Sequence, residues 1–384
     1  MSVTFSCSHN PLTAYPRIRA GSFFARKRGT AAPFPFDGSG IQIGYHYARN
    51  AIYALSHAWS LAGQEILVPA YVEGVEVEAL VRAGARPRFY PVDGNMRFRT
   101  ESVLDAVLPT TRAVYVIHYL GFAQEIASLA QACRERNLLL LEDCAQALFS
   151  RCGTQPLGTF GDAAVFSFRK SLPVPDGALL IFNRPPERIP ATPQSPPKWP
   201  ILVDVVGSVL LRAPGARWWV HPVWAAAKAA ARRRPTAADG GRQGPDPAAN
   251  IAVSSTTEYL LSRLDFEEVV LRRRCNYECL ETRLRELLPP IFRLREGICP
   301  LLYAARVRRR EEALSLLGPL GIEEADYWPS NHPLLQGHYP ECECLHASVI
   351  GLPCHQDIPP ELMPELAERI ARVVAKTPSA FTGK

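Results

Sequence analysis

Short apolar runs that alternate with helical stretches constrain the fold of this chain more than any other sequence feature. Six runs have the length and composition of buried strands: Glu65–Ala70, Arg86–Asp93, Ala113–His118, Leu138–Asp143, Ala163–Phe168 and Ala178–Phe182. Between several of them, stretches such as VEVEALVRAGA and EIASLAQACRERN carry apolar residues at three- and four-residue intervals. This alternation predicts an α/β fold with a mostly parallel sheet covered on both faces. The last two runs are joined by too few residues for a helical crossover, so the final strand is predicted to be antiparallel.

Composition divides the chain into four parts. Residues 1–40 are predicted to form an N-terminal arm, and residues 41–182 a large α/β domain. Residues 183–250 are rich in proline and glycine at both ends and are predicted to form an insert. Residues 251–384 begin with one long predicted helix, TEYLLSRLDFEEVVLRRRCNYECLETRLREL, and continue as a smaller C-terminal α/β domain.

The middle of the insert is apolar and carries three tryptophans, Trp218, Trp219 and Trp224. Pro214 and the scattered charges stop it well short of a membrane span. The favoured interpretation is a helical pair packed on the protein's own surface. The alternative is an amphipathic segment that caps the active site or touches a partner or a membrane surface.

Overall composition is typical of a globular protein and argues against nucleic-acid binding. The chain has 384 residues, 47% of them hydrophobic, which is ordinary for a globular protein that can bury a sizeable core. Its net charge of +6 comes partly from short arginine runs without interleaved aromatics, which favours a solvated surface over nucleic-acid binding.

The cysteines point to a reducing compartment. There are ten without a repeated spacing, and the first twenty residues lack the apolar core of a secretion signal, so a cytoplasmic location is predicted. The nearest approach to a metal motif is Cys342 and Cys344 with His338 and His346. This spacing matches none of the common zinc patterns, and no metal site is predicted.

An acid and a lysine follow two of the predicted strands. Asp143 ends the most apolar run, LLLLED, and Lys170 comes shortly after AAVFSF. Ligands of open parallel sheets collect outside the carboxyl ends of the strands. Pyridoxal phosphate uses both groups, because its aldehyde bonds to a lysine and its ring nitrogen is held protonated by a carboxylate. Such a pair also occurs in many α/β proteins for structural reasons, so on these two residues alone both interpretations stay open.

The segment that holds this pair is similar to a known family. The stretch LLLEDCAQALFSRCGTQPLGTFGDAAVFSFRKSLPVPDGA resembles the cofactor segment of the DegT/DnrJ/EryC1/StrS aminotransferases. That segment has an acidic pair, small residues and a glutamine, then a Gly-Asp-Ala-Ala strand, Ser-Phe and the lysine. The resemblance extends over roughly Gly44 to Phe182 and Thr257 to Val373. It implies a fold-type I pyridoxal-phosphate enzyme that is a homodimer with active sites at the subunit interface.

The resemblance also implies roles for four residues. Lys170 would bond covalently to the cofactor and shuttle a proton between it and the substrate carbon, while Asp143 would pair with the pyridinium nitrogen. Gln146 would approach the phenolic oxygen of the cofactor, with a helix-surface amide as the alternative. Ser167 would contact the phosphate, with a satisfied strand-end hydroxyl as the alternative.

Two stretches depart from the family pattern near the cofactor. The family's Ser-Gly-Thr-Ala phosphate segment is replaced by YARNAIYAL, which places Arg49, Asn50 and Ala51 at the start of the first long helix. A helix N-terminus can still hold a dianion, so phosphate binding is predicted there. At the position of the aromatic residue that stacks on the ring the chain has Glu73, so the resemblance leaves Tyr71 or His118 to cover the ring.

Further differences place the chain in an outlying branch. Ser167 and Lys170 are three residues apart instead of five, and NIAVSSTTEYLL replaces the segment that reaches the neighbouring subunit's phosphate. By resemblance, the chain is expected to transfer an amino group from glutamate or glutamine to a keto or aldehyde acceptor, such as a nucleotide-linked keto sugar. A lyase or dehydratase on the same cofactor and a non-catalytic binding or regulatory homologue are the alternatives.

Overall fold

The structure is a computed structural model that describes residues 12–25, 32–210, 246–322, 327–328, 333–335 and 339–382. Its strands are β1 (Ile41–Tyr45), β2 (Glu65–Pro69), β3 (Arg86–Tyr90), β4 (Thr111–Ile117), β5 (Leu139–Asp143), β6 (Arg151–Cys152), β7 (Gln155–Pro156), β8 (Ala163–Ser167), β9 (Ala178–Phe182), β10 (Leu302–Arg306) and β11 (Val349–Pro353). Its α-helices are α1 (Ala48–Ala58), α2 (Val75–Arg82), α3 (Thr100–Asp105), α4 (Ile126–Glu135), α5 (Phe168–Ser171), α6 (Lys198–Leu210), α7 (Ser255–Leu261), α8 (Phe266–Leu284), α9 (Arg310–Leu317), α10 (Pro340–Ser348), α11 (Met363–Lys376) and α12 (Pro378–Phe381). Short 3₁₀ turns occupy Ala20–Phe23, Tyr119–Gly121, Gly318–Leu320 and Pro360–Leu362.

Seven strands form one sheet in the order β1-β9-β8-β5-β4-β2-β3. The pairs β2–β3, β2–β4, β4–β5 and β5–β8 are parallel, while β9 runs antiparallel to both β8 and β1. The six predicted strands and the predicted antiparallel direction of β9 are confirmed, with strand ends that differ by a few residues. The sheet is mostly parallel and its central strands are buried along their whole length, as helices on both faces require.

Strand β1 is absent from the sequence-based prediction. Its sequence, IQIGY, is mostly half-buried and lacks a continuous apolar run. It joins the sheet only by pairing residue for residue with β9, from Ile41 opposite Phe182 to Tyr45 opposite Ala178. A partner more than a hundred residues further along the chain therefore decides whether this segment is a strand.

The predicted long helix after Ser254 is two helices instead of one. Ser254 caps α7, because its Oγ accepts a hydrogen bond from the Thr257 N–H at 3.1 Å. Asp265 caps α8 in the same way, since its Oδ1 accepts from the Glu268 N–H at 3.1 Å. An aspartate followed three residues later by a glutamate is a helix-start pattern, and it places a helix boundary inside the predicted single helix.

The C-terminal part builds a second, smaller layer of helices and strands. Strands β10 and β11 pair antiparallel, from Leu302 opposite Pro353 to Arg306 opposite Val349. Helices α8 and α11 pack together beside this two-stranded sheet. Buried Arg273 of α8 joins the two parts of the chain, because its guanidinium donates to the carbonyl oxygens of Leu301 and Ser171.

The described part of the insert contains one helix, α6, whose apolar side chains differ in burial. Ile201, Val203 and Gly207 of α6 are buried, whereas Trp199 and Leu202 are 63% and 50% exposed. The predicted packing on the protein's own surface therefore accounts for one face of this helix only. The three tryptophans at 218, 219 and 224 lie outside the described residues. No described helix is long and apolar enough to cross a membrane.

Candidate active site

Asp143 ends β5 at the carboxyl edge of the sheet, in register with Ile117 of β4 and Val165 of β8. Its buried carboxylate accepts hydrogen bonds from the Tyr115 hydroxyl at 2.7 Å and the Ala145 N–H at 2.8 Å. Burial raises the pKa of Asp143, although the charge of Lys170 and these two hydrogen bonds act in the opposite direction. The site thus holds a preoriented carboxylate that would gain from a cationic partner.

Lys170 lies in α5, the single helical turn that directly follows β8. This turn is fixed from outside, because Arg273 and Gln356 both donate to the carbonyl oxygen of Ser171, each at 2.9 Å. The Lys170 ammonium lies 3.9 Å from a carboxylate oxygen of Glu73. Burial lowers the pKa of Lys170, but Glu73, Asp143 and other neighbours outweigh it and hold this pKa above its ordinary value.

Two glutamates of the loop and helix after β2 complete this charged cluster. Glu76 is buried in the first turn of α2, and its Oε1 accepts a hydrogen bond from the Glu73 N–H at 2.9 Å. Burial raises the pKa of Glu76 to about 7, helped by the nearby charges of Glu73 and Asp143 and opposed by that of Lys170. The sequence analysis assigned Glu76 no role. Its spacing from Ala79 and Leu80 places it on the apolar face of the helix, which is the sequence signal of a buried acid.

The neighbouring acid, Glu142, has a different environment. Its carboxylate accepts hydrogen bonds from the N–H groups of Gly158, Phe160 and Gly161 at 2.9, 2.8 and 2.7 Å. It also lies 3.0 Å from Nε2 of buried His118. Successive strand residues point to opposite faces, so one acid of the pair anchors a loop while the other faces the site.

His118, Glu142 and Cys144 place three ligand-type atoms within 4.8 Å of one another. The Glu142 oxygens already serve these hydrogen bonds, and burial raises the pKa of the Cys144 thiol well above its usual range. In this group the carboxylate oxygens are therefore occupied by hydrogen bonds, and the thiol is held in its neutral form. In the C-terminal pattern, Cys342 donates to the Val92 carbonyl and His346 Nδ1 lies 2.6 Å from the Trp328 carbonyl, whereas His338 lies outside the described residues.

Gln146 is buried, so the helix-surface alternative is wrong. Its Oε1 accepts hydrogen bonds from the Leu120 N–H and the Tyr327 hydroxyl, both at 2.8 Å. The oxygen is thereby held in one orientation. The amide nitrogen is then the end of this side chain that can donate to a ligand.

The start of α1 lies near the lysine turn. Tyr47 precedes the helix without a side-chain cap, and the guanidinium of Arg169, next to Lys170, stacks 5.2 Å from the Tyr47 ring centre. A helix start without a cap has N–H groups available to an anion. Ser167 occupies the equivalent position before α5, also without a side-chain cap.

Asn50, one of the three residues predicted to bind the phosphate, has its side chain bonded to the base of the insert. Its amide nitrogen donates to the carbonyl oxygens of Asp246 and Pro247 at 3.0 and 3.1 Å, so it holds the chain where the insert returns. Ala51 is buried and Arg49 is half-buried, both in the first turn of α1.

Tyr71 lies in an aromatic cluster. Its ring centre is 4.6 Å from His346, 5.2 Å from Trp328 and 5.7 Å from Tyr119. Its buried hydroxyl has no hydrogen-bond partner in the part of the chain that the structure describes. His118, the other residue considered for covering the ring, is fully buried beside Glu142.

Known structures define the class of the fold. The chain superposes on Helicobacter pylori PseC, an aminotransferase of pseudaminic acid biosynthesis, with a TM-score of 0.67 and 14% identity over 96% of this chain and all of that one (100%). A sugar aminotransferase from Streptococcus pneumoniae, solved in its PMP form and described as putative, gives a TM-score of 0.68 and 16% identity over 97% and 99% of the two chains. The predicted fold-type I architecture, a mostly parallel large domain with a smaller C-terminal one, is confirmed.

Sequence comparison gives the family. Residues 43–187 match the DegT/DnrJ/EryC1/StrS aminotransferase family, which confirms the resemblance predicted for this segment. GDP-perosamine synthase from Vibrio cholerae is 33% identical over 34% of this chain and 36% of its own length. A dTDP-4-dehydro-2,3,6-trideoxy-D-glucose 4-aminotransferase from Saccharopolyspora spinosa is 37% identical over 31% of each chain. The matched segments thus span about a third of these relatives.

Proposed function

We propose that the chain is a pyridoxal-phosphate-dependent aminotransferase that moves an amino group from glutamate or glutamine to a nucleotide-linked keto sugar. The observation that carries this proposal is the buried Asp143 carboxylate at the same sheet edge as the Lys170 amine, within the family segment. The relatives named above support the substrate class, since their names describe synthesis or amination of nucleotide-linked sugars.

The residues present fit this cofactor. A buried carboxylate whose pKa is raised by burial favours a cationic neighbour, and a protonated ring nitrogen supplies one. Lys170 supplies the amine for covalent attachment. The uncapped start of α1, with the side chains of Ser167 and Arg49, supplies donors for the phosphate. When bound, the cofactor acts as an electron sink for the substrate carbon.

Each residue then has a defined task. Asp143, fixed by Tyr115 and Ala145, keeps the proton on the ring nitrogen. Lys170 Nζ takes the proton from the substrate carbon and returns it in the second half of the transfer. The amide nitrogen of Gln146 donates to the phenolic oxygen, and the ring of Tyr71 is a candidate to border the site.

A spectrum tests this function. Purified protein with pyridoxal phosphate should absorb in the visible, and adding glutamate or glutamine alone should convert that band to the band of the amine form. A lyase or dehydratase would return to the starting spectrum and release a product. A chain that binds no cofactor at all would be a binding homologue, which contradicts the proposal.

We also expect a homodimer in the cytoplasm. Active sites of this fold are built at subunit interfaces, and the exposed Trp199 and Leu202 give this chain additional apolar surface to cover. The described cysteines are all free, which fits a reducing compartment. Analytical ultracentrifugation should show a dimer, and a fully active monomer would contradict this expectation.

A further inference from the structure

A carboxylate stands directly beside the amine of Lys170. Glu73 Oε2 lies 3.9 Å from Lys170 Nζ, with 42% of the Glu73 side chain and 24% of the lysine side chain exposed. The two charges therefore face each other at the boundary between the site and solvent.

The loop that carries Glu73 is fixed on both sides. Before it, the Ala70 N–H donates to the Tyr90 carbonyl at 2.9 Å, and the Tyr71 carbonyl accepts from the Tyr119 hydroxyl at 2.7 Å. After it, Gly74 has a φ of 108°, a backbone conformation that favours glycine, and α2 begins at the next residue. The Glu73 N–H itself is held by buried Glu76. The backbone on both sides of Glu73 is therefore fixed, unlike the setting of a carboxylate on a solvated helix face.

We propose that Glu73 is a positioning residue for Lys170: in the cofactor-free protein, its carboxylate orients the amine and stabilises its ammonium form. This inference rests on the proposed function only in taking Lys170 as the reacting amine. A carboxylate at this distance restricts the rotamers of a long, flexible side chain and favours the ammonium form over the neutral amine.

The other groups around Lys170 act in the same direction but have other partners. Asp143 is held by Tyr115, and Glu76 is held by the loop backbone. Tyr15, from the N-terminal part, adds a further contribution to the pKa of the lysine. Among the groups that raise the pKa of Lys170, Glu73 has the largest effect, so removing its charge should produce the clearest change.

The test measures the amine itself, without cofactor or substrate. The full-length chain, freed of cofactor, is acetylated with limiting acetic anhydride at a series of pH values, and labelling is read at each lysine by mass spectrometry. Lys198 and Lys376, far along the sequence from the site, are internal references. The variants are Glu73→Gln and, as a matched control with the same charge change on the adjoining helix, Glu78→Gln.

In Glu73→Gln the labelling curve of Lys170 should move to lower pH, with labelling about five-fold faster near pH 8, the size expected for losing one partly exposed ion pair. Glu78→Gln should leave the curve in place, and Glu73→Asp should restore part of the shift. Added salt should move the native protein toward the Glu73→Gln curve. Coincident curves for native protein and Glu73→Gln would overturn the proposal.

Circular dichroism on each variant separates a lost fold from a lost ion pair. The outcome is independent of the aminotransferase proposal, because a shift in Lys170 labelling requires no transfer reaction. If transfer fails while the shift is seen, the proposed function is wrong and the role of Glu73 stands.

Discussion

The carboxyl edge of the large sheet and helix α6 of the insert bury opposite kinds of surface. At the sheet edge, Asp143, Glu142 and Gln146 are buried polar groups that are held by hydrogen bonds. On α6, the apolar side chains of Trp199 and Leu202 are largely exposed. Buried polar groups cost free energy unless they are paired, and exposed apolar side chains lack the stabilisation that burial would give them. The first region therefore bears the signs of a chemical site, and the second those of a surface that contacts something else.

The largest expected effect is at Lys170. Lys170→Ala removes the only amine in the charged cluster of the described site, so we expect it to abolish the covalent cofactor adduct that borohydride traps. Mass spectrometry of the reduced protein checks this, with Lys198→Ala as a control that keeps the adduct. A reducible adduct at another lysine would show that Lys170 is the wrong nucleophile.

Asp143→Asn is the next most severe change. It keeps the shape of the side chain but removes its charge, so we expect cofactor to remain bound and the transition state to lose about 2 to 4 kcal/mol, a fall of about 30- to 1,000-fold in kcat. Glu142→Gln is the matched control on the same strand, and it should lower stability more than rate because its oxygens hold a loop. Steady-state kinetics within a few-fold of the native enzyme would remove Asp143 from this role.

Glu76 gives the protein a pH-dependent stability. Its pKa in the folded chain is about 7, above the ordinary 4.5, so its contribution is fully present below about pH 4.5 and is lost as the pH rises through 7. The loss amounts to about 3 kcal/mol for a shift of this size. Urea unfolding of the cofactor-free protein should show a weaker decline from about pH 5 to 8 in Glu76→Gln than in the native chain. An unchanged slope would contradict the prediction.

The smallest effects compare adjacent residues of α6. Ile201 is 8% exposed and Leu202 is 50% exposed. Ile201→Ala should lower the free energy of unfolding by about 2 kcal/mol, and Leu202→Ala by less than about 0.5 kcal/mol. Denaturant unfolding measures both. Equal losses would mean that the outer face of α6 is covered in solution, which would remove the contrast with the sheet edge.

The positions of Asp143 and Lys170 could be predicted because local sequence determines them. Each follows an apolar strand run, and the carboxyl ends of such strands meet at one edge. The surroundings of Gln146 could not be predicted in this way, since its partner Tyr327 lies 181 residues further along the chain. Contacts of that separation depend on how the C-terminal part folds back onto the sheet.

Other differences had local signals that periodicity alone did not reveal. The break between α7 and α8 has a capping residue, Asp265, whose partner Glu268 is three residues away. Glu76 carries the spacing of a helix's buried face, although an acid is rare there without a function or a partner. The pairing of Glu73 with Lys170, in contrast, depends on bringing β2 and β8 into one sheet.

The two ends of the insert are joined at its base. The Gln194 N–H donates to the Asn250 carbonyl at 2.9 Å, and the Ala252 N–H donates to the Gln194 carbonyl at 2.7 Å. The Asn50 side chain also donates to the Asp246 carbonyl, where the chain returns from the insert. A segment whose ends already meet adds little closure entropy when its length changes. The segment between Gln194 and Asp246 is therefore a natural point for grafting: a short linker or a foreign domain could replace it, while the carboxyl edge of the sheet keeps its own connections.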